Sequence, residues 1–330
     1  MADLPLTMAI YDYDHVRDMS TGRVKPEGID LTVINHEVEE IFHRFMFGQE
    51  WQVSEISMGM STSRFSEGDA PFVYLPIFPS RVFRLSGIYV LADGPIKKPE
   101  DLKGKRIGCP EWGQTATVYI RGWMEHDVGV KLTDVEWFQT GINQAGRVEA
   151  ANLDLPEGVK LTVVQDRSLT DMMFDGDIDG AFAARPPQAF LDGDPRIVRL
   201  IPDFRKAELE HFKQTGIFPI MHTVALRRDV FEENPWVAMN LMTAFEEAKL
   251  RSQRRIENFT ASQIPVPWLY SDALEINRQV FGDDFWPYGI EPNRITLEAF
   301  LQYAYEQGTL HRRLTVDELF PEEVKHHFKF

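Results

Sequence analysis

Residues that could do acid-base chemistry follow the first apolar segment of the chain, in the stretch MAIYDYDHVRD. His15 can give or take a proton near neutral pH, and Asp14 can orient it. Arg17 could hold an anionic substrate through paired hydrogen bonds. The plainer interpretation is a solvated loop in which Asp14 caps a helix and Arg17 pairs with an acid. Both interpretations stay open on the residues alone.

Two further acid-base candidates lie at the ends or crossings of apolar strands. Glu55 and Ser57, in VSEIS, would follow a short strand, where a carboxylate either caps the next helix or transfers protons. His222, in FPIMHTVAL, lies within an apolar strand, where a histidine is commonly a satisfied core residue. That strand also crosses between two predicted lobes, which favours a role for His222 at a cleft.

Arginines in proline-containing segments are candidates for binding carboxylates, because the guanidinium fork can make two parallel hydrogen bonds. The prolines of PIFPSRVFR exclude a central strand and predict a stiff loop that presents Arg81 or Arg84. Of the two, Arg84 is expected to pair with an acid of the protein, which leaves Arg81 for substrate. Arg185, in FAARPPQ, is held by two prolines after another predicted strand.

The segment CPEWGQTATVY predicts a strand that passes into a helix through a glycine. Such a turn leaves backbone N–H groups at Gln114, Thr115 and Ala116 that would attract a carboxylate. Trp112 could stack on an aromatic ring. Without a ligand, the same segment is an ordinary strand-to-helix turn.

The order of predicted elements indicates an α/β protein with two lobes and a ligand cleft between them. Strands and amphipathic helices alternate from the N-terminus, and the pattern starts again near residue 97. The first lobe is predicted to comprise residues 1–96 and 220–330, including C-terminal helices that pack on it, and the second lobe residues 97–219. This is the architecture of a type II periplasmic-binding-protein-like fold, in which ligands bind beyond the carboxyl ends of strands.

Composition excludes several classes of function. The 330 residues carry a net charge of −16 without a basic run, which argues against nucleic acid as a partner. An N-terminus without a secretion signal and the absence of 18 consecutive apolar residues predict a cytoplasmic protein that does not enter membranes. The aromatic segment FWPYGI could serve a homo-oligomer interface or cover a pocket. No GxGxxG or GxxxxGK(S/T) motif supports a nucleotide-binding site, and spacing leaves open a divalent metal held by Asp12, Asp14, Glu55 or the histidines.

Several segments together resemble the 4,5-dihydroxyphthalate decarboxylase family. They run in family order over nearly the whole chain and include YDYDHVRDMSTGRVKPEGIDLTV, WQVSEISM, PIFPSRVFRLSGIYV, DLKGKRIGCPEWGQTATVYIRGWM, AARPP and PIMHTVALRRDVFEENPW. The resemblance implies a binding-protein scaffold used as a carboxy-lyase that needs no cofactor. Differences in YDYDH and MGMSTSRFSEGDAPF leave room for other hydroxylated aromatic acids as substrates.

The implied reaction assigns roles to the candidate residues. Removal of a phenolic proton para to a carboxylate, followed by protonation of the carbon that bears it, releases carbon dioxide, so a base and an acid suffice. His15 and His222 would be the acid and base, Glu55 or Asp14 would relay protons, and Arg81 and Arg185 would hold carboxylates. The competing hypothesis is a solute-binding protein of the ABC-transporter type for an aromatic or pyrimidine-like ligand, because one fold hosts many functions.

Overall fold

The structure is a computed structural model that describes residues 2–68, 70–258, 260–261 and 263–325. It contains a five-stranded and a six-stranded sheet with helices packed against both, so the prediction of two α/β lobes is confirmed. The strands are β1 (Leu4–Ile10), β2 (Ile29–Asn35), β3 (Val53–Ser57), β4 (Phe72–Arg81), β5 (Ile88–Leu91), β6 (Arg106–Cys109), β7 (Glu136–Gln139), β8 (Lys160–Val163), β9 (Gly180–Phe182), β10 (Ile197–Arg199) and β11 (Ile220–Arg227).

Helices connect the strands and form most of the C-terminal part. No helix within the described ranges is long and apolar enough to cross a membrane. The helices are α1 (Arg17–Ser20), α2 (Val38–Gly48), α3 (Met58–Ser66), α4 (Thr115–Trp123), α5 (Leu169–Phe174), α6 (Gln188–Leu191), α7 (Phe204–Thr215), α8 (Arg228–Glu233), α9 (Trp236–Ile256), α10 (Leu269–Ser271), α11 (Arg278–Phe281), α12 (Arg294–Glu306) and α13 (Val316–Leu319).

The first lobe is built on the sheet β2-β1-β3-β11-β4. Strands β1, β2 and β3 run parallel, and β11 returns antiparallel between β3 and β4. The carboxyl ends of β1 and β3 therefore meet the start of β11 at one edge of the sheet. Residues that follow β1, end β3 or begin β11 are brought together at this edge.

The C-terminal helices pack on the first lobe, as predicted. Leu241 and Phe245 of α9 and Leu297 and Phe300 of α12 are fully buried in the same apolar core as Met8 of β1. These side chains recur at helical spacing, so one face of each helix is removed from water. The second lobe has its own buried clusters around the sheet β10-β5-β9-β6-β7-β8.

One local prediction around the first sheet is wrong. The segment with Pro76 and Pro79 lies within β4 and is not a loop. Strand β4 is the edge strand of its sheet, where a residue without an N–H donor is tolerated. Helix α2 ends with Gly48 still helical, and Gln49 follows in the left-handed conformation that commonly ends a helix. The Gln49 amide donates to the carbonyl of Phe45, which satisfies that exposed helix end.

The boundary between the lobes lies earlier than predicted. Strand β5 pairs with β9 and β10 in the second sheet, whereas the predicted first lobe extended to residue 96. The chain therefore leaves the first sheet at Arg81 and enters the second sheet at Ile88. A short buried apolar strand has the same pattern in either sheet, so its residues alone cannot assign it.

Candidate active site

A cleft of about 500 Å³ lies between the two lobes. Apolar side chains form much of its wall, which suits an aromatic ring. These are Val38, Phe42, Met60, Ile142, Val148 and Met221. Polar and charged groups converge on the same space from both lobes, and they include Ser57, Arg84, Glu111, Gln114, Thr115, Arg147, Glu149, Arg185 and His222.

The first-lobe wall of the cleft holds a cluster of Tyr13, Glu55 and His222. The Glu55 side chain is fully buried, and its Oε1 accepts hydrogen bonds from the Tyr13 hydroxyl and from His222 Nδ1, each at 2.6 Å. Its Oε2 accepts the backbone N–H of Tyr11 at 2.9 Å. Because Nδ1 donates to the Glu55 carboxylate, Nδ1 carries the proton of the neutral imidazole. This contact therefore fixes the tautomer of His222.

His222 presents its other ring nitrogen to the cleft. Its side chain lines the cleft and is 17% exposed, and within the described residues no protein group hydrogen-bonds to Nε2. The pairing of β11 with β4 shifts register on both sides of His222. Such irregularities turn a side chain away from its regular direction and are common beside active sites. The edge of the Phe42 ring packs against the imidazole at 4.8 Å between centroids.

Ser57 and Thr115 join the lobes at the floor of the cleft. Their hydroxyl oxygens lie 3.0 Å apart, and Thr115 Oγ1 also accepts the backbone N–H of Gly59 at 2.9 Å. Gly59 is required here, since a Cβ at this position would lie 2.0 Å from the carbonyl oxygen of Gly113. The two hydroxyls thus hold the lobes together as well as lining the site.

Arg84 brings an unpaired positive charge to the cleft. Its guanidinium donates to Met221 Sδ at 3.0 Å and to the carbonyl of Ala184 at 3.1 Å, both neutral acceptors. No carboxylate among the described residues forms an ion pair with it, although the sequence predicted that Arg84 would pair with an acid. Burial lowers the pKa of Arg84 to about 10, and the more distant charge of Glu208 opposes that shift. A half-buried cation that no carboxylate of the described residues neutralises is suited to bind an anionic ligand.

The turn before α4 already holds a carboxylate from the protein itself. Glu149 accepts hydrogen bonds from the N–H groups of Trp112 at 2.5 Å, Gly113 at 3.2 Å and Ala151 at 3.0 Å. The predicted attraction of this turn for a carboxylate is thus visible, but the donors precede the predicted ones. Gln114 lines the cleft with a buried amide oxygen that has no hydrogen-bond partner among the described residues.

Arg185 lies at the mouth of the cleft, where it forms an ion pair with Glu39 of the other lobe at 2.9 Å. Both side chains are exposed, at 62% for Arg185 and 45% for Glu39. An exposed pair of this kind exchanges easily with water or with another anion. The role of Arg185 as a carboxylate ligand therefore stays a prediction.

The N-terminal acid-base candidates Asp14, His15 and Arg17 lie elsewhere and do not line the cleft. His15 packs between the rings of Tyr13 and Trp286, and burial lowers its pKa to about 4. Asp14 accepts hydrogen bonds from Ser252 and Arg255 of α9, and Arg17 is an exposed neighbour of Asp14 at 3.8 Å. The chain turns away from the cleft after Tyr13, and these charges anchor α9.

Two other predicted ligands are buried away from the cleft. Arg81 donates to the carbonyl of Phe218 at 2.9 Å and that of Pro287 at 3.4 Å, and its guanidinium lies over the Phe218 ring. Trp112 is fully buried beneath Arg121, and its indole N–H donates to the carbonyl of Gln307 at 2.7 Å. Neither side chain lines the cleft. Only the backbone N–H of Trp112 serves as a polar group near it.

One group of side chains among the described residues could hold a metal ion. Glu125, His126 and Glu306 form the one group there whose ligand atoms lie close enough to share an ion. None of the three lines the cleft, and His126 Nε2 is already hydrogen-bonded to Glu306 at 2.6 Å. Asp12, Asp14, Glu55 and the predicted catalytic histidines do not form such a group.

Sequence reasoning missed Tyr13, Arg147 and Glu149. Tyr13 stands inside the quoted opening stretch, two residues after Tyr11, and a strand-end tyrosine beside a buried acid is a signal that could have found it. Arg147 and Glu149 lie on the irregular segment between β7 and β8, where Arg147 Nε donates to Glu111 at 2.5 Å. No local pattern in that segment indicates that it folds over the cleft.

Comparison with known proteins places this site in a family. The chain is 36% identical to a 4,5-dihydroxyphthalate decarboxylase of Comamonas testosteroni over 321 residues, which is 97% of each protein. The chain belongs to the 4,5-dihydroxyphthalate decarboxylase family. Residues 83–154 also match the NMT1/THI5 like family profile. That segment includes Arg84, the turn before α4 and Glu149, so the profile spans much of the second-lobe side of the cleft.

Solved structures confirm the type II periplasmic-binding-protein-like fold of this decarboxylase-family member. The periplasmic aliphatic sulphonate binding protein SsuA from Escherichia coli matches with a TM-score of 0.54 over 98% of this chain and 99% of its own, at 14% identity. The desulfurization enzyme DSZB matches with a TM-score of 0.53 over 97% of both chains, at 16% identity. At this level of identity the likeness shows the fold alone.

Proposed function

We propose that this protein removes one carboxylate from a hydroxylated aromatic dicarboxylate, with 4,5-dihydroxyphthalate as substrate and protocatechuate and carbon dioxide as products. Family membership supports the reaction class. The observation that carries the mechanism is the buried Glu55–His222 pair, whose free Nε2 faces an apolar cleft that also contains the unpaired Arg84.

The reaction needs a proton at the carbon that loses its carboxylate. Ionisation of the hydroxyl para to that carbon moves electron density onto the ring, and protonated His222 would donate its Nε2 proton to the carbon. The bond to the carboxylate then breaks, its electron pair returns to the ring, and carbon dioxide leaves. The proton lost from the phenol is regained from solvent, so one proton is consumed for each carbon dioxide released.

Glu55 would hold His222 in the state that this step requires. A fully buried carboxylate at 2.6 Å from Nδ1 orients the ring and stabilises the imidazolium that donates the proton. Tyr13 donates to the same oxygen and limits the movement of the carboxylate. The three groups come from β3, β11 and the turn after β1, so the sheet itself sets their geometry.

Arg84 would bind a carboxylate of the substrate, in place of Arg81. Its guanidinium has no counterion among the described residues, and a bidentate contact with a carboxylate would orient the ring relative to His222. The amide of Gln114 can bond to a ring hydroxyl. The mechanism uses no electron-sink cofactor, and independence from a metal ion is part of the proposal.

One experiment tests the reaction class and the metal together. Purified protein is incubated with 4,5-dihydroxyphthalate, with and without a chelator, while loss of substrate and release of carbon dioxide are followed. Equal turnover in both arms is expected. Tight binding without turnover would contradict the proposal and favour a solute-binding protein, and turnover that stops with the chelator would contradict metal independence.

A further inference from the structure

The cleft contains an anion site that a side chain of the protein itself fills. Glu149 lies on the irregular segment between β7 and β8, whereas the N–H groups of Trp112 and Gly113 that it accepts belong to the turn between β6 and α4. Glu149 and Gly113 both line the cleft. A carboxylate at this position is therefore bound by backbone donors that a substrate in the same cleft could reach.

Positive charge behind this turn favours an anion. Arg121 of α4 is fully buried, stacks on Trp112 at 3.9 Å and donates to the Trp112 carbonyl. Its Nη1 has no hydrogen-bond partner among the described residues, and none of their carboxylates forms an ion pair with it. The charge of Arg121 interacts with Glu149. The N-terminus of α4 adds the positive end of its dipole at the same place.

The surroundings of Glu149 disfavour the charged form of its side chain. Burial raises the pKa of its carboxyl group, and the neighbouring charge of Glu111 raises it further. The cost of desolvating this side chain therefore offsets part of the free energy that the backbone hydrogen bonds contribute. A ligand carboxylate that also contacts Arg84 would have a second cation to offset the same cost.

We propose that the N–H groups of Trp112 and Gly113 form the subsite for the second carboxylate of the aromatic dicarboxylate, and that Glu149 is a tethered carboxylate that the substrate displaces. The substrate class rests on the proposed function. Arg84 lies on the connection between the sheets and Gly113 in the second lobe, and both line the cleft, so the proposal requires the ortho-dicarboxylate to contact the two sides at once. Displacement of Glu149 moves its segment as the ligand enters.

Calorimetric binding of phthalate and benzoate tests this subsite without any turnover, because neither ligand has the hydroxyl that the reaction needs. The variants are Glu149→Ala and, as a matched control, Glu157→Ala, which removes an exposed charge from the same segment. Glu149→Ala should bind phthalate about tenfold more tightly than the wild type, since a competing charged acceptor is gone. Benzoate binding should change less than about twofold in either variant.

Other results would overturn the subsite. Equal effects of Glu149→Ala and Glu157→Ala would indicate long-range charge alone, and unchanged or weaker phthalate binding in a folded Glu149→Ala variant would remove Glu149 from the site. Glu149→Gln, which keeps the shape without the charge, should lie between the wild type and Glu149→Ala. A loss of turnover of about 100-fold in Glu149→Ala would make Glu149 a catalytic group instead.

The same data separate the subsite from the proposed function. If 4,5-dihydroxyphthalate is not turned over but Glu149→Ala tightens phthalate binding, the reaction is wrong and the subsite stands. If turnover occurs and Glu149→Ala leaves the Kd for phthalate unchanged, the proposed reaction stands and the proposed subsite is wrong. Thermal melting of each variant shows whether it is folded before its binding is compared.

Discussion

Two polar clusters of the first lobe begin within a few residues of each other and have opposite roles. The anchoring cluster consists of Asp14, Asp18 and Arg255, and the cleft cluster consists of Tyr13, Glu55 and His222. Both contain the residue types that acid-base chemistry needs. The anchoring cluster pairs its charges with one another and attaches α9, whereas the cleft cluster leaves one imidazole nitrogen directed at the cleft.

The difference between the clusters lies in direction and in partners. Tyr13 still points along the edge where β1, β3 and β11 meet, but the next residues turn toward α9. Position after a strand is therefore not sufficient for a catalytic role, because a single turn decides which way the following side chains face. A free polar atom at a cleft is the stronger indication.

The largest effect is expected from removing the proposed proton donor. His222→Ala should lower kcat by about 1000-fold, because general acid catalysis contributes factors of 100 to 10,000. His15→Ala, the matched change in the neighbouring region, should lower kcat less than about threefold. Release of carbon dioxide from 4,5-dihydroxyphthalate under saturating substrate measures both. A severe loss of turnover in a folded His15→Ala variant would show that His15 takes part in the reaction.

The next largest effect is expected from Glu55→Gln. The amide keeps the size of the side chain but loses the charge that stabilises the imidazolium, so kcat should fall about 100-fold. Asp14→Asn is the control from the anchoring cluster. It should leave kcat unchanged and lower the free energy of unfolding by about 1 kcal/mol, measured by urea denaturation. Similar kcat values for the two variants would show that Glu55 has no part in proton transfer.

A smaller effect, on binding, distinguishes the two arginines that flank the turn after β4. Arg84→Lys keeps the charge but loses the fork, and the Kd for phthalate should rise about tenfold. Arg81→Lys should leave this Kd unchanged and lower the Tm, because Arg81 donates to two backbone carbonyls inside the first lobe. Calorimetry and thermal melting test the pair. If Arg81→Lys raised the Kd for phthalate as much as Arg84→Lys, Arg81 would have to be a ligand of the carboxylate after all.

The smallest effect concerns stability and pH. Burial lowers the pKa of His15 from its ordinary value of about 6.5 to about 4. The unfolded chain therefore binds a proton at His15 before the folded chain does, and the free energy of unfolding should fall as the pH drops from about 6.5 to about 4. In His15→Gln this decline should be shallower. Urea denaturation at several pH values measures this decline. If the free energy of unfolding fell equally with pH in both proteins, His15 would not be the source of the pH dependence.

Much of the fold could be predicted from local patterns. The strands of the first sheet, the amphipathic α2 and the C-terminal helices follow from periodicity, since side chains at spacings of two or of three and four must face one apolar core. The prolines of β4 misled the prediction, because edge position depends on the order of strands. The assignment of β5 failed for the same reason.

The candidate site could be predicted only in part. Glu55, Ser57, Gln114, Thr115, Arg185 and His222 were found from their places at strand ends and helix starts, and of these all except Glu55 line the cleft, with Glu55 directly behind His222. Arg81 does not line the cleft, whereas Arg84 does. Only two residues separate them along the chain, and the environment that pairs Arg81 with carbonyls and leaves Arg84 without a counterion among the described residues comes from distant segments.

The sequence by itself determined the family, the two-lobed α/β architecture and the residue types available for acid-base chemistry, because these depend on composition, periodicity and short motifs. Only the tertiary structure decided which histidine faces the cleft, which arginine has no counterion among the described residues and which carboxylate fills the turn before α4. Those outcomes depend on contacts between residues as far apart as Glu55 and His222, and on the direction in which each backbone turn points a side chain. Neither the long-range contacts nor the direction of a turn can be read from residues that are adjacent in the sequence.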